Sequence, residues 1–89
     1  MRAAWYEKNG LATEVLMMGE LPDPAPGPGE VRVRVHASAV NPSDVKARAG
    51  SRKIVWDRIV PNSDGAGTID RTGPGVEPSR IGQRVWIYN

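Results

Sequence analysis

Between Glu30 and Val40 the chain alternates strictly. Val31, Val33, Val35, Ala37 and Ala39 fall on one side, Arg32, Arg34, His36 and Ser38 on the other. A period of two over this length predicts a half-buried β-strand with its valines inward. Upstream, Arg2 to Tyr6 mixes aromatic and small apolar residues and predicts a first strand. Asn9-Gly10 then marks a turn, because both residue types tolerate positive φ. Glu14 to Leu21 is expected to return antiparallel, weakened at Gly19. In Leu21-Pro22-Asp23-Pro24-Ala25-Pro26-Gly27-Pro28-Gly29, four prolines lack amide donors and fix φ, which predicts an extended surface loop.

After the alternating strand, Asn41 offers a helix N-cap, Pro42 suits the first helical position, and Asp44 places a carboxylate near the positive helix end. Gly50 is expected to end this short helix of Pro42 to Ala49 in a left-handed cap. Ser51 to Val60 reads as an irregular loop that anchors a few apolar side chains. Gly65 to Arg71 predicts another strand, its glycines allowing close approach of backbone or ligand. Thr72-Gly73-Pro74-Gly75 is a turn, and Arg84-Val85-Trp86-Ile87-Tyr88 is a last strand after the break at Gly82. Several short strands, one short helix, no internal repeat and no βαβ pattern predict a mainly β domain, a small barrel or sandwich.

Eighty-nine residues make one small domain at most, residues 1–89. The sequence contains no cysteine, which removes disulfides and thiolate metal sites together. A net charge of +2, from 12 basic and 10 acidic residues, is too balanced to imply nucleic acid. No apolar run approaches the roughly 20 residues of a membrane span, and the start lacks a signal peptide's apolar stretch. A soluble, cytoplasmic protein without nucleic-acid or membrane partners is expected. The chain ends at Asn89, directly after an apolar strand, which predicts that further protein follows.

Most single residues have plain structural readings. Asn41 and Asp44 can simply cap a helix, and Asp64 can be a turn residue bonded to local backbone. His36 lies on the polar face of its strand and, without Cys or a second His, assembles no usual zinc site. Gly65-Ala66-Gly67 fails the dinucleotide spacing, since Asp70 stands at the third glycine position. Lys46, Arg48, Arg52, Lys53 and Arg58 cluster in sequence and read as a solvated loop face. Trp5, Trp56 and Trp86 are expected to be core or domain-interface anchors.

Taken in order, these motifs resemble the GroES-like catalytic domain that opens medium-chain dehydrogenase/reductases. The branch they are most similar to is the zinc-independent NADPH:quinone reductases, which includes the zeta-crystallin-like enzymes. The resemblance runs through nearly the whole chain. It rests on Met1-Arg2-Ala3-Ala4-Trp5-Tyr6, the Pro/Gly loop into Glu30-Val31, Asn41-Pro42-Ser43-Asp44-Val45-Lys46 through Gly50, Asp64-Gly65-Ala66-Gly67, and Gly82-Gln83-Arg84-Val85-Trp86. Zinc-binding members place a Cys and a His where this chain has Asn41 and Ser63. Asn62 stands where the family commonly has Gly, Gln83 where it commonly has Asp, and Lys46 where quinone reductases often have Tyr.

The resemblance implies a partly open GroES-like barrel, truncated before barrel completion, and a cleft shared with a Rossmann domain that this chain lacks. It implies NADPH as cofactor in a full-length parent, no metal, and a quinone or enone substrate, and it allows a homodimer. Asn41 and Pro42 would lie beside the nicotinamide, with Asn41, Lys46 and Asp64 as the candidate catalytic residues. The fragment alone is expected to be inactive and to bind NADPH poorly, and Val85 to Tyr88 to leave an apolar strand edge. The alternative is a non-enzymatic GroES-like binding module, such as a co-chaperonin-like protein.

Overall fold

A computed structural model describes residues 1–88. The chain divides into two compact units, Met1–Pro22 with Val40–Asn62, and Asp23–Ala39 with the residues from Ser63 onward. The protein is mainly β, with open sheets and short helical pieces.

In the first unit, β1 (Arg2–Trp5) pairs antiparallel with β2 (Met17–Glu20), Ala3 opposite Gly19. The segment between them corrects the expected strand from Glu14. Ala12–Val15 is one helical turn, α1, with the Leu11 carbonyl accepting the N–H groups of Glu14 and Val15. Its cause is burial. Val15 is 5% exposed, and a helical turn delivers that side chain inward where a strand from Glu14 would not. A second helix was therefore missed, and β2 starts only at Met17.

Tyr6, 4% exposed, is the other core residue of this unit. It forms an antiparallel bridge with Ile59, Tyr6 N–H to the Ile59 carbonyl at 3.0 Å and Ile59 N–H to the Tyr6 carbonyl at 2.8 Å. The Asn9 side-chain amide donates to the carbonyls of Ala47, Arg48 and Arg52. These bonds fasten the chain after α2 (Pro42–Lys46), which runs on into a wider helical turn at Ala47–Ser51. Gly50 sits there at φ 128°, a left-handed backbone that glycine adopts without strain. The expected glycine stop is present.

The second unit is an antiparallel sheet, order β3 (Val31–Ala39), β4 (Asp64–Thr72), β5 (Arg84–Ile87). The strand limits match the sequence pattern closely, but the expected inward valine face of β3 does not hold along its length. Val31 and Val33 are half-buried, while everything from Arg34 to Ala39 is exposed and Val35 is 53% exposed. Two irregularities explain this. Asp70 is an extra residue on β4 between the partners of Arg32 and Val33, and His36 is an extra residue on β3 between Val35 and Ala37. Each extra residue resets the period of two, so the alternating set is not one continuous face. Opposite the far half of β3 stand Gly67, Ala66 and Gly65, which provide almost no side chain to cover it.

Gly67 has a positive reason to be glycine, since a Cβ there would collide with the Arg34 carbonyl group. The core of the unit is Ile69, 1% exposed. At the first irregularity Arg32 Nε donates to Asp70 Oδ1 at 2.8 Å, and this bond raises the Arg32 pKa above its ordinary value. The Pro/Gly loop is fastened by Gly29 N–H to the Pro74 carbonyl and Gly73 N–H to the Glu30 carbonyl, both 2.8 Å.

Of the three tryptophans, only Trp5 is half-buried. Trp56 is 73% and Trp86 80% exposed, so neither is a core anchor. β5 is an edge strand among the described residues, with Trp86 exposed on it and Tyr88 exposed directly after it.

Candidate functional site

The first of the two signature turns begins where β3 stops. Asn41, half-buried, has an extended backbone (φ −110°, ψ 161°), and Pro42 opens α2 with the φ that its ring dictates. The Asn41 carbonyl accepts the Asp44 N–H at 3.0 Å, closing the first turn. Asp44 reaches back, its Oδ2 accepting the Asn41 N–H at 2.8 Å, the returning half of a capping box.

The other oxygen of the same carboxylate defines the site. Asp44 Oδ1 accepts the backbone N–H of Asn62 at 3.2 Å. One half-buried carboxylate thus joins the Asn41-Pro42 turn to the Pro61-Asn62 turn, both in the first unit. Both Asp44 oxygens accept backbone amides, so Asp44 fastens the two turns together.

Asn62 has φ 79°, and it is the one positive-φ residue other than glycine among the described residues. That explains why a glycine is usual there in the resembling family. The turn needs a left-handed residue, and asparagine is among the few side chains that accept one.

The remaining candidates fall as follows. Pro42 is exposed at the first position of α2, and Lys46 is exposed at its last. Asp64 belongs to the second unit, where it opens β4 opposite Ala39 and is half-buried. It is a strand residue, not the turn residue of the plain reading. The structure therefore brings Asn41, Pro42 and Lys46 onto one helical element, with Asp64 on a strand of the other unit. His36 is exposed, its Nε2 3.2 Å from Thr68 Oγ1.

Two chemistries can be tested against these side chains. Zinc sites are built from Cys, His and carboxylates. At the places the resemblance assigns to Cys and His, the chain has an amide, Asn41, and a hydroxyl, Ser63, neither among the usual zinc ligands. A dinucleotide phosphate cradle needs a Gly-rich turn between a strand and a helix. Gly65-Ala66-Gly67 instead lies inside β4, its backbone pairing with β3 and β5. What the site has is a half-buried amide, Asn41, held on a fixed turn, its side chain accepting the Asp44 N–H in the capping box.

Sequence reasoning placed Asp44 at the helix end but missed its bond to Asn62. The available signal was the Asn at a position where the resembling family has Gly, which marks a turn that needs fastening.

Comparison with known proteins identifies the family of this fold. The family model of the alcohol dehydrogenase GroES-like domain matches residues 27–89. Among solved structures the chain is similar to a mycobacterial quinone oxidoreductase, at 32% identity and a TM-score of 0.81, covering 97% of this chain and 27% of that one. A mycobacterial protein complexed with NADPH is similar at 29% identity and a TM-score of 0.80, with 97% and 27% covered. A cobalt- and zinc-bound thermostable alcohol dehydrogenase from Pyrobaculum aerophilum is similar at 40% identity and a TM-score of 0.89, with 100% and 26% covered. The chain spans about a quarter of the length of these structures. A search of curated proteins found no match.

Proposed function

The chain belongs to the alcohol dehydrogenase GroES-like domain family, and from that premise we propose that it is the catalytic-domain part of a metal-free, NADPH-dependent quinone or enone oxidoreductase. Similar structures include both quinone oxidoreductases and a zinc-bound alcohol dehydrogenase, so likeness alone does not choose between the two chemistries. The choice rests on one observation. The turn fastened by Asp44 presents an amide, Asn41, where a zinc enzyme of this family would present a thiolate.

NADPH, when bound, supplies the hydride, and its phosphates would be held by residues outside these 89. The residues here fit the nicotinamide end only, through the Asn41 amide and the exposed Pro42. Reduction of a quinone or enone builds negative charge on the acceptor oxygen, spread over a conjugated system. An amide N–H on a fixed turn can stabilise that charge without a Lewis acid. Asn41 takes this role, Lys46 provides a polar contact near the acceptor, and Asp64 contributes a carboxylate beside Ser63. No described helix is long and apolar enough to cross a membrane, and a cytoplasmic setting is part of the proposal.

The test is an assay of the whole protein that carries these residues. NADPH-dependent reduction of a quinone that persists in excess chelator is the expected result. Zinc-dependent alcohol oxidation, abolished by chelator and restored by zinc, overturns the proposal. The 89-residue chain alone is expected to bind NADPH weakly.

A further inference from the structure

The loop between the Ala47–Ser51 turn and Val60 holds its apolar side chains in an unexpected way. Its ends are pinned. The Arg52 carbonyl accepts from the Asn9 side chain at 3.3 Å, and Ile59 is bridged to Tyr6 by two backbone hydrogen bonds. Ile54 and Ile59, near these ends, are half-buried. At the tip, Val55 is 74% and Trp56 73% exposed. Hydrogen bonds hold the ends of the loop, while the two apolar groups at its tip remain mostly exposed.

Charge around that tip is one-sided. From Arg52 to Arg58 there are three cations, Arg52, Lys53 and Arg58, against the single carboxylate of Asp57. Arg52, Lys53 and Arg58, all exposed, flank the Val55-Trp56 pair within three residues of it.

We infer that this loop is a docking tip for the surface of an anionic lipid bilayer. Trp settles at the boundary between headgroups and acyl chains, where its ring is apolar and its N–H remains wet. An adjacent Val adds aliphatic surface, and flanking Lys and Arg are drawn to anionic headgroups. A nucleic-acid strand would use the Trp ring and the cations but give Val55 no partner, and an apolar protein groove would leave the cations unused. Lipid uses all of them. The attachment is peripheral and departs from the sequence-based expectation of no membrane partner, which rested on the lack of a spanning segment. It would place a reductase beside lipid-dissolved quinones, but it stands or falls without the enzymatic reading, since vesicle binding needs neither NADPH nor turnover.

The experiment is co-flotation of the protein with phosphatidylcholine vesicles, with and without about one third phosphatidylglycerol, at low and high salt. Flotation with the anionic vesicles only, weakened by salt, is expected. The triple variant R52Q/K53Q/R58Q should bind about 100-fold more weakly, as each cation near such a surface is worth about 1 kcal/mol. The double variant V55S/W56S should also lose flotation, and a circular-dichroism melt of each variant verifies that it remains folded. The inference is overturned if the wild type stays unbound at low salt, if V55S/W56S floats as well as the wild type, or if a single-stranded oligonucleotide binds as tightly as the anionic vesicles.

Discussion

Asp44 Oδ1 accepts the Asn62 backbone N–H at 3.2 Å, while Oδ2 of the same carboxylate accepts the Asn41 N–H at 2.8 Å. The two residues are 18 positions apart, so this bond closes a long loop onto the helix that carries the site. Removing the carboxylate strands two part-buried N–H donors at once, and each stranded donor costs about 1–3 kcal/mol. Asp44→Ala should therefore destabilise the protein by roughly 2–4 kcal/mol in a urea titration, with faster amide exchange at Asn41 and Asn62. Asp44→Asn keeps one acceptor oxygen and should lose about half as much. An Asp44→Ala variant as stable as the wild type would show that the fastening is idle.

Asn62 tests the backbone of the second turn. Its φ of 79° disfavours any side chain with a branched β-carbon. Asn62→Gly should be neutral to within about 0.5 kcal/mol, because relief of the left-handed strain is offset by greater freedom of the unfolded chain. Asn62→Val should cost about 1–2 kcal/mol or more. Thermal melts of the two variants separate these outcomes, and equal melting temperatures would contradict the conformational argument.

Gly67 tests the close approach of β4 to β3. A methyl group there meets the Arg34 carbonyl, which is backbone and cannot rotate away as a side chain would. Gly67→Ala should cost about 2–3 kcal/mol, the upper part of the typical range of about 1–3 kcal/mol for overpacking. Gly29, with no atom within 4 Å of its would-be Cβ, differs in kind. A Gly29→Ala loss would come from its φ of 74° alone and should be near 1 kcal/mol. Denaturant midpoints that rank the two substitutions the other way would refute the assignment.

What could be read in the sequence was what depends on neighbours along the chain. Asn41-Pro42 with Asp44 announced a helix start by cap chemistry alone, and Gly50 its stop. Val31 to Ala39 announced a strand by alternation. What could not be read depends on partners far along the chain. α1 is a single turn held inward by the burial of Val15, and a four-residue element is too short for periodicity to register. The exposed half of β3 follows from His36 and Asp70 as extra residues in the pairing, and extra residues are visible only once the two strands are aligned. The tryptophans show the same limit, since composition places them in a core but the pinned loop leaves Trp56 outside. At the site, residue types marked Asn41, but its coupling to Asn62 needed the fold.

The remaining prediction concerns Asn41 itself. Its backbone is held by Asp44, so a change of side chain leaves the turn's fastening bond in place. Asn41→Ala removes the amide and its share of any local capping, a stability cost of about 1 kcal/mol. If the amide N–H stabilises charge on the acceptor oxygen, the same substitution in the whole enzyme should lower kcat about 100-fold, the lower range for one oxyanion donor. KM should change little, because the charge develops in the transition state and not on binding. Asn41→Asp is nearly the same size and can still cap the helix, yet it turns the donor end into a second acceptor. It should retain stability while losing kcat as fully as Asn41→Ala does. Steady-state kinetics of both variants beside their melting curves decide the matter. Full activity in Asn41→Asp would mean that Asn41 serves only the helix it caps.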